Sequence, residues 1–360
     1  MYFNDNISAG VALIFILYGV SGVVPLVAAI YLLFRRGNAF AADIKPPLRL
    51  RRWAASFFIA ALLSHVWWLL LYFFSDKYLS AGHVAIVVFD GVTLLTTITG
   101  TLLAMLQDRR RPVWPAPVVM IPFALLAVAF VITSSPDIMR IAIAYFLAVF
   151  VGLTIYMLFA IRQYSRWLYD NYADLEHKRI WLSQSLILVV LLLFIVYGLD
   201  DGTPVISYTL AVSELLLFGG LLWRIETLPL LKQPSAAEQP ATSASGVDFS
   251  AVERLLAERC VATRLYLQHD LTLAQLARAL NTNRTYLGQY FSNSGTNYNT
   301  YINDLRITYF VNSYREAVSK CQPVTAKQLA IESGYHSYST FSLAFKQRMG
   351  CNVTTWMHEQ

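Results

Sequence analysis

Leu271-Thr-Leu-Ala-Gln-Leu-Ala-Arg-Ala-Leu280, then Asn281-Thr-Asn283, then Arg284-Thr-Tyr-Leu-Gly-Gln-Tyr-Phe291 reads as two short helices joined by a tight turn. Leu273, Leu276, Ala277 and Leu280 recur at i, i+3, i+4 and i+7, which is one face of a helix. Thr272 has the hydroxyl that caps a helix start. Asn281 to Asn283 break the period. Leu287 and Phe291 then supply a buried side, and Arg284, Thr285 and Gln289 face outward. This is a helix-turn-helix over 271–291.

The layout recurs over 325–349. Thr325-Ala-Lys-Gln-Leu-Ala-Ile-Glu332 forms a first helix, and Ser333-Gly334-Tyr335 forms the turn, with Gly334 able to take positive φ. Ser337 to Met349 forms a second helix with Phe341 and Phe345 on its core side. Between the two patterns, Tyr301 to Ser319 reads as one helix carrying Ile302, Leu305, Arg306, Tyr309, Val311 and Arg315.

The run Gly334-Tyr-His-Ser-Tyr-Ser-Thr-Phe341-Ser-Leu-Ala-Phe345-Lys346-Gln-Arg-Met-Gly350 resembles the signature of the AraC family of transcription regulators, and Tyr301-Ile-Asn-Asp-Leu-Arg306-Ile resembles that family's linker helix. The resemblance covers roughly residues 249–360. It implies that the second helix of each pattern enters a major groove, with the two insertions one helical turn apart on one face of double-stranded DNA. Leu343 stands where the family usually has Arg, and Val353 where it usually has Pro.

On this reading Arg284, Thr285 and Gln289 read bases from the first recognition helix, and Ser337, Tyr338, Ser339 and Ser342 from the second. Arg278, Arg306, Lys327, Lys346 and Arg348 are the expected phosphate contacts. The alternative for each serine is a helix cap or a phosphate contact. From Phe249 onward eleven Lys and Arg stand against seven Asp and Glu, so +4 of the net +6 lies in the last third, the sign a DNA binder needs.

The rest of the chain is of another kind. Of its 360 residues 56% are hydrophobic and only 14% charged, against about 25% charged in soluble domains. The excess lies before Arg224, in seven apolar runs: about Ala9–Phe34, Trp53–Phe74, Val84–Leu106, Val113–Thr133, Ile141–Ile161, Trp181–Leu199 and Val205–Trp223. Each is long enough to cross a hydrocarbon core of about 30 Å. Residues 1–8 contain no Lys or Arg, and the first run is too long for a signal peptide. The fold class expected is all-α, a seven-helix transmembrane bundle followed by a double helix-turn-helix domain.

Loop charge orients the bundle. Arg35, Arg36, Lys45, Arg49, Arg51 and Arg52 follow the first run, Arg109, Arg110 and Arg111 the third, and Arg162, Arg166, Lys178 and Arg179 the fifth. The opposite loops hold only Lys77 and Arg140. The positive-inside rule then places the N-terminus outside and the C-terminus in the cytoplasm. In the third basic loop Trp167, Tyr169 and Tyr172 read as an interfacial segment, and Asp170 with its charged neighbours as a solvated face. The expected domains are 1–227, a linker over 228–247 punctuated by Pro229, Pro234 and Pro240, and 248–360.

Ionisable groups inside membrane spans are costly and stand as functional candidates. His65, Asp90 and Glu214 are therefore candidate signal-sensing residues lining a polar cavity, the alternative being that they pair only to hold the bundle together. A retinal pigment is excluded by the lack of a lysine within the spans. Cys260, Cys321 and Cys351 show no metal spacing, so no metal and no cofactor is expected. No Ser/His, H-E-x-x-H or paired Asp motif lies in the spans, so an enzyme is not expected.

These readings describe a membrane-tethered bacterial transcription regulator. It would be a multi-pass protein of the bacterial inner membrane, with double-stranded DNA, the lipid bilayer, a second copy of itself and an unknown small-molecule or envelope signal as partners. The alternative is a transporter or channel-like protein with a cytoplasmic helix-turn-helix module.

Overall fold

The computed structural model describes residues 9–35, 38–39, 45–73, 79–173, 175, 189, 204–228, 230–231 and 249–360. All regular elements among them are helical, as composition and period require. The chain divides into two compact units, one of residues 1–162 and 180–231, the other of residues 163–179 and 232–360. Residues 163–179, expected within the first domain, thus group with the C-terminal part.

In the first unit the helices are α1 (Ala9–Phe34), α2 (Leu48–Phe73), α3 (Leu79–Met105), α4 (Pro115–Val119), α5 (Ile121–Thr133), α6 (Pro136–Asn171, as far as Arg162) and α7 (Pro204–Thr227). The run expected over Trp181–Leu199 lies outside the described residues, as does most of the 228–247 linker. Six described segments are long and apolar enough to cross a membrane, α4 and α5 counting together as Pro115–Thr133. Pro115, Pro117 and Pro122 divide that run because proline removes a backbone donor, whereas α1 continues through Pro25.

The outward surfaces of these helices are apolar. Ile132 is 78% exposed, Phe34 77% and Leu216 70%. Such faces suit hydrocarbon, where the helix already satisfies its own backbone polar groups. Inward, α2 packs on α1 and α3, and α1 also meets α7. At the α2–α3 crossing Gly100 lies against Trp53, and a Cβ added there would overlap the indole ring. Phe57, Phe58 and Phe218 stack edge to face where α2 approaches α7. A second cluster gathers Leu95, Met120, Phe123, Ala142 and Phe150.

The basic end of this unit carries a polar network. Arg111 pairs with Asp108 and its carbonyl accepts from Arg49, 2.8 Å away. Tyr31 donates to the Glu226 carboxylate at 3.0 Å, and the Leu231 amide donates to Gln107 at 2.8 Å. These bonds tie α1, α7 and the chain after α7 to the end of α3.

The second unit contains α8 (Phe249–Leu256), which ends in a π turn over Ala257–Val261. It continues with α9 (Leu273–Ala279), α10 (Arg284–Asn293), α11 (Tyr298–Ser319), α12 (Ala326–Glu332), α13 (Tyr338–Met349) and α14 (Val353–His358). Side-chain oxygens start the helices: Thr272 forms a capping box with Gln275, and Asn283, Asn297, Thr325 and Ser337 each accept from the amide three residues on. Each such cap contributes about 1 kcal/mol.

Two cores result. Leu273, Leu276, Leu287, Phe291 and Ile302 build one, and Phe310, Leu329, Tyr335, Phe341, Phe345 and Trp356 the other. α11 supplies residues to both, so it sets the spacing of the two helix-turn-helix motifs.

Candidate nucleic-acid interface

The two motifs are α9–α10 and α12–α13. Their turns each need one residue in the left-handed region, Asn281 at φ 55° and Gly334 at φ 90°. At Gly334 a Cβ would lie 2.7 Å from the Leu267 carbonyl oxygen and 3.0 Å from Arg306 Nε. Glycine is therefore required there twice over, by conformation and by space. The 22 residues of α11 span about 33 Å at a 1.5 Å rise. That is close to the repeat of about 34–36 Å that separates successive major-groove faces.

On α10, Leu287 and Phe291 are buried, Thr285 and Gln289 are exposed, and Arg284 is partly buried. Gly288 and Ser292 share the outward side with them and border the same cavity. Among α10 positions, sequence reading missed those two, because a glycine and a serine carry no charge or amide to draw attention. Burial lowers the Arg284 pKa, while Tyr172 and Asp170 raise it.

On α13, Ser337 is the N-cap, its hydroxyl accepting from the Thr340 amide at 3.3 Å. The capping alternative therefore describes Ser337 directly. Tyr338 packs its ring 5.9 Å from that of Phe341. Ser339 is exposed and Ser342 partly so.

Four of the five expected phosphate contacts, Arg278, Lys327, Lys346 and Arg348, are exposed. Arg348 bonds Asp304 at 3.0 Å, tying α13 to α11. Burial raises the Asp304 pKa and Arg348 counters it.

Arg306 departs from expectation. It is 0% exposed. Its Nε donates to the Tyr266 carbonyl and one Nη to the Gln268 carbonyl, each at 2.8 Å. Its guanidinium also lies 5.4 Å from the Tyr335 ring centroid. No phosphate reaches it. The physical reason is that the segment after the π turn brings the Tyr266 and Gln268 carbonyls against α11, and a forked cation supplies the donors.

In the apolar helices His65 and Glu214 share one set of polar contacts and Asp90 holds a neighbouring set. His65 Nε2 is 3.3 Å from Glu214 and 2.9 Å from the Ser21 hydroxyl. Its Nδ1 bonds the Ala61 carbonyl at 2.8 Å, and the Tyr18 hydroxyl donates to the His65 backbone carbonyl at 2.7 Å. Asp90 is 4% exposed and accepts from Ser64 at 2.7 Å and from Trp68 at 3.0 Å. Thr93 and Thr97 bond backbone carbonyls of their own helix instead. Tyr18, Ser21 and Ser64 were not anticipated, since hydroxyls in apolar helices usually bond their own backbone.

No curated protein and no solved structure matches the chain. The family model described as a helix-turn-helix domain matches residues 276–359, from the middle of α9 through α14, so this part of the chain is similar to AraC-type DNA-binding domains.

Proposed function

We propose that the chain is a membrane-tethered transcription regulator that binds specific DNA through its two helix-turn-helix motifs in response to a signal met at or in the membrane. The observation that carries the reading is the pairing of two capped helix-turn-helix motifs joined by α11, a helix about 33 Å long, with six described segments apolar enough to span a bilayer. The family match over residues 276–359 supports DNA binding and a regulatory role.

In this reading residues 1–227 form the membrane domain with the N-terminus outside, 228–247 the linker and 248–360 the cytoplasmic DNA-binding domain. Arg284, Thr285, Gln289, Tyr338, Ser339 and Ser342 read bases. Ser337 caps α13, and Arg278, Lys327, Lys346 and Arg348 contact phosphates. His65, Asp90 and Glu214 receive the signal, because ionisable groups inside membrane spans are costly and mark functional sites. Two copies on adjacent sites gain affinity by bivalence.

Selection from a random duplex pool by the full chain in nanodiscs tests this. The expected product is a motif of two half-elements about one helical turn apart. A folded chain that enriches no duplex at near-physiological salt refutes the reading.

A further inference from the structure

The last part of α6 and the two residues after it, 163–173, pack on the first helix-turn-helix motif. Asn171, Tyr172 and Ala173 are 6%, 7% and 3% exposed. Tyr172 forms an antiparallel bridge with Thr272. Asn299 Nδ2 donates to the Tyr172 carbonyl at 2.9 Å and to the Ala173 carbonyl at 2.8 Å, and Asn303 adds a bond to Ala173 at 3.3 Å. Ala173 belongs to the core built by Leu273, Leu287, Phe291 and Ile302. Residues 172–173 thus form an anchor.

The preceding turn lies elsewhere on the motif. Trp167, Asp170 and Asn171 line a cavity of about 940 Å³ together with Arg284, Thr285 and Gln289. These are the α10 side chains that Proposed function assigns to base reading. Asp170 and Tyr172 interact electrostatically with Arg284. A carboxylate therefore sits near the cation that a phosphate or a guanine edge would otherwise engage.

We propose that residues 163–173 are an autoinhibitory segment: docked, it stands beside Arg284 at the start of the DNA-reading side of α10, and DNA binding requires its release. Two features separate this from a merely structural strut. The anchoring hydrogen bonds reach only 172–173, and Asp170, which makes none of them, stands near Arg284. A major groove about 12 Å wide must accept α10 from its outward side, and Asp170 stands near Arg284 at the start of that side. α6 is continuous from Pro136 to Asn171. The segment and DNA then exclude each other, and a signal that favours the undocked state raises DNA affinity by its differential binding to the two states.

The inference rests on the DNA-binding reading, and the experiment separates the two. Full-length chain in nanodiscs is titrated with duplex selected from a random pool, comparing wild type, Asp170→Asn, Asn299→Ala/Asn303→Ala and Glu258→Gln. Asp170→Asn removes the carboxylate near Arg284 without touching the anchor. The double variant frees the anchor. Glu258→Gln is a charge-matched control on an exposed residue.

The expected result is at least about fivefold tighter binding for Asp170→Asn and for the double variant, with the control within about twofold of wild type. In wild type, hydrogen exchange of amides 168–173 should speed up when DNA saturates the protein. Equal affinities for wild type and Asp170→Asn, with amides 168–173 as protected with DNA as without, overturn the inference and leave DNA binding standing. If no form retains any duplex in a salt-dependent way, the DNA-binding reading itself fails and takes the inference with it.

Discussion

Arg306 lies beneath Tyr335, its guanidinium carbon 5.4 Å from the ring centroid, while its Nε bonds the Tyr266 carbonyl on the other side. One side chain of the connecting helix thus holds the turn of the second motif to the segment that precedes the first. Arg306→Ala leaves the Tyr266 and Gln268 carbonyls without this donor and opens a void, at a cost of about 3–5 kcal/mol. Thermal unfolding monitored in the second unit should shift accordingly. If Arg306 acted on phosphate instead, the variant would keep its stability and the salt slope of DNA binding would fall by about one.

Gly334 shares that corner. Gly334→Ala places a methyl against the Leu267 carbonyl and holds a β-carbon at φ 90°. Destabilisation of at least about 2 kcal/mol is expected. Hydrogen exchange should localise it to α12 and α13, with α9 and α10 less affected, because Gly334 belongs to the second motif. Equal loosening of both motifs would mean that α11 couples them more tightly than their separate cores suggest.

The helix-turn-helix motifs were legible because local signals agreed with the tertiary result. Thr272, Thr325 and Ser337 stand where caps are needed, and the apolar period from Leu273 to Leu280 is the buried face found in the core. Arg306 was not legible, because its partners Tyr266 and Gln268 lie about forty residues away and contribute only backbone carbonyls. Nor was the docking of Tyr172 and Ala173. A segment beside basic residues and aromatics reads as interfacial, and its actual partners, Asn299 and Asn303, are more than 120 residues distant.

Cysteine chemistry offers an independent check on the core. Cys260 is 0% exposed, and burial pushes its thiol up to about 11. At pH 8 only roughly one molecule in a thousand then carries the thiolate that reacts. Cys321 is exposed. Alkylation of the native chain should label Cys321 well before Cys260, and mild denaturant should bring Cys260 into reach. Early labelling of Cys260 would show that α8 and the π turn open readily.

Glu214 bridges to His65 from the last described apolar helix. Glu214→Gln removes the charge and keeps the shape. If these residues receive the signal, output from a reporter driven by the selected duplex changes by about fivefold or more at constant membrane level. Loss of the protein from the membrane would instead assign Glu214 to holding the bundle.

Arg284 and Arg348 test how the interface divides its work. Arg284 lies on the outward side of α10 beside Thr285, where a guanidinium can reach a guanine edge in two bonds. Arg348 is near the end of α13 and pairs with Asp304 at 3.0 Å, a position suited to the backbone rather than to bases. Arg284→Ala should relax selection at one base position, costing about 1–3 kcal/mol on the preferred sequence and little on others. Arg348→Ala should weaken all duplexes alike and lower the salt slope by about one. It also frees the Asp304 carboxylate, so part of its effect is new repulsion of phosphate, which Arg348→Ala combined with Asp304→Asn removes. Parallel selections with the two variants decide the matter: identical motifs and identical losses would mean that neither residue reads sequence.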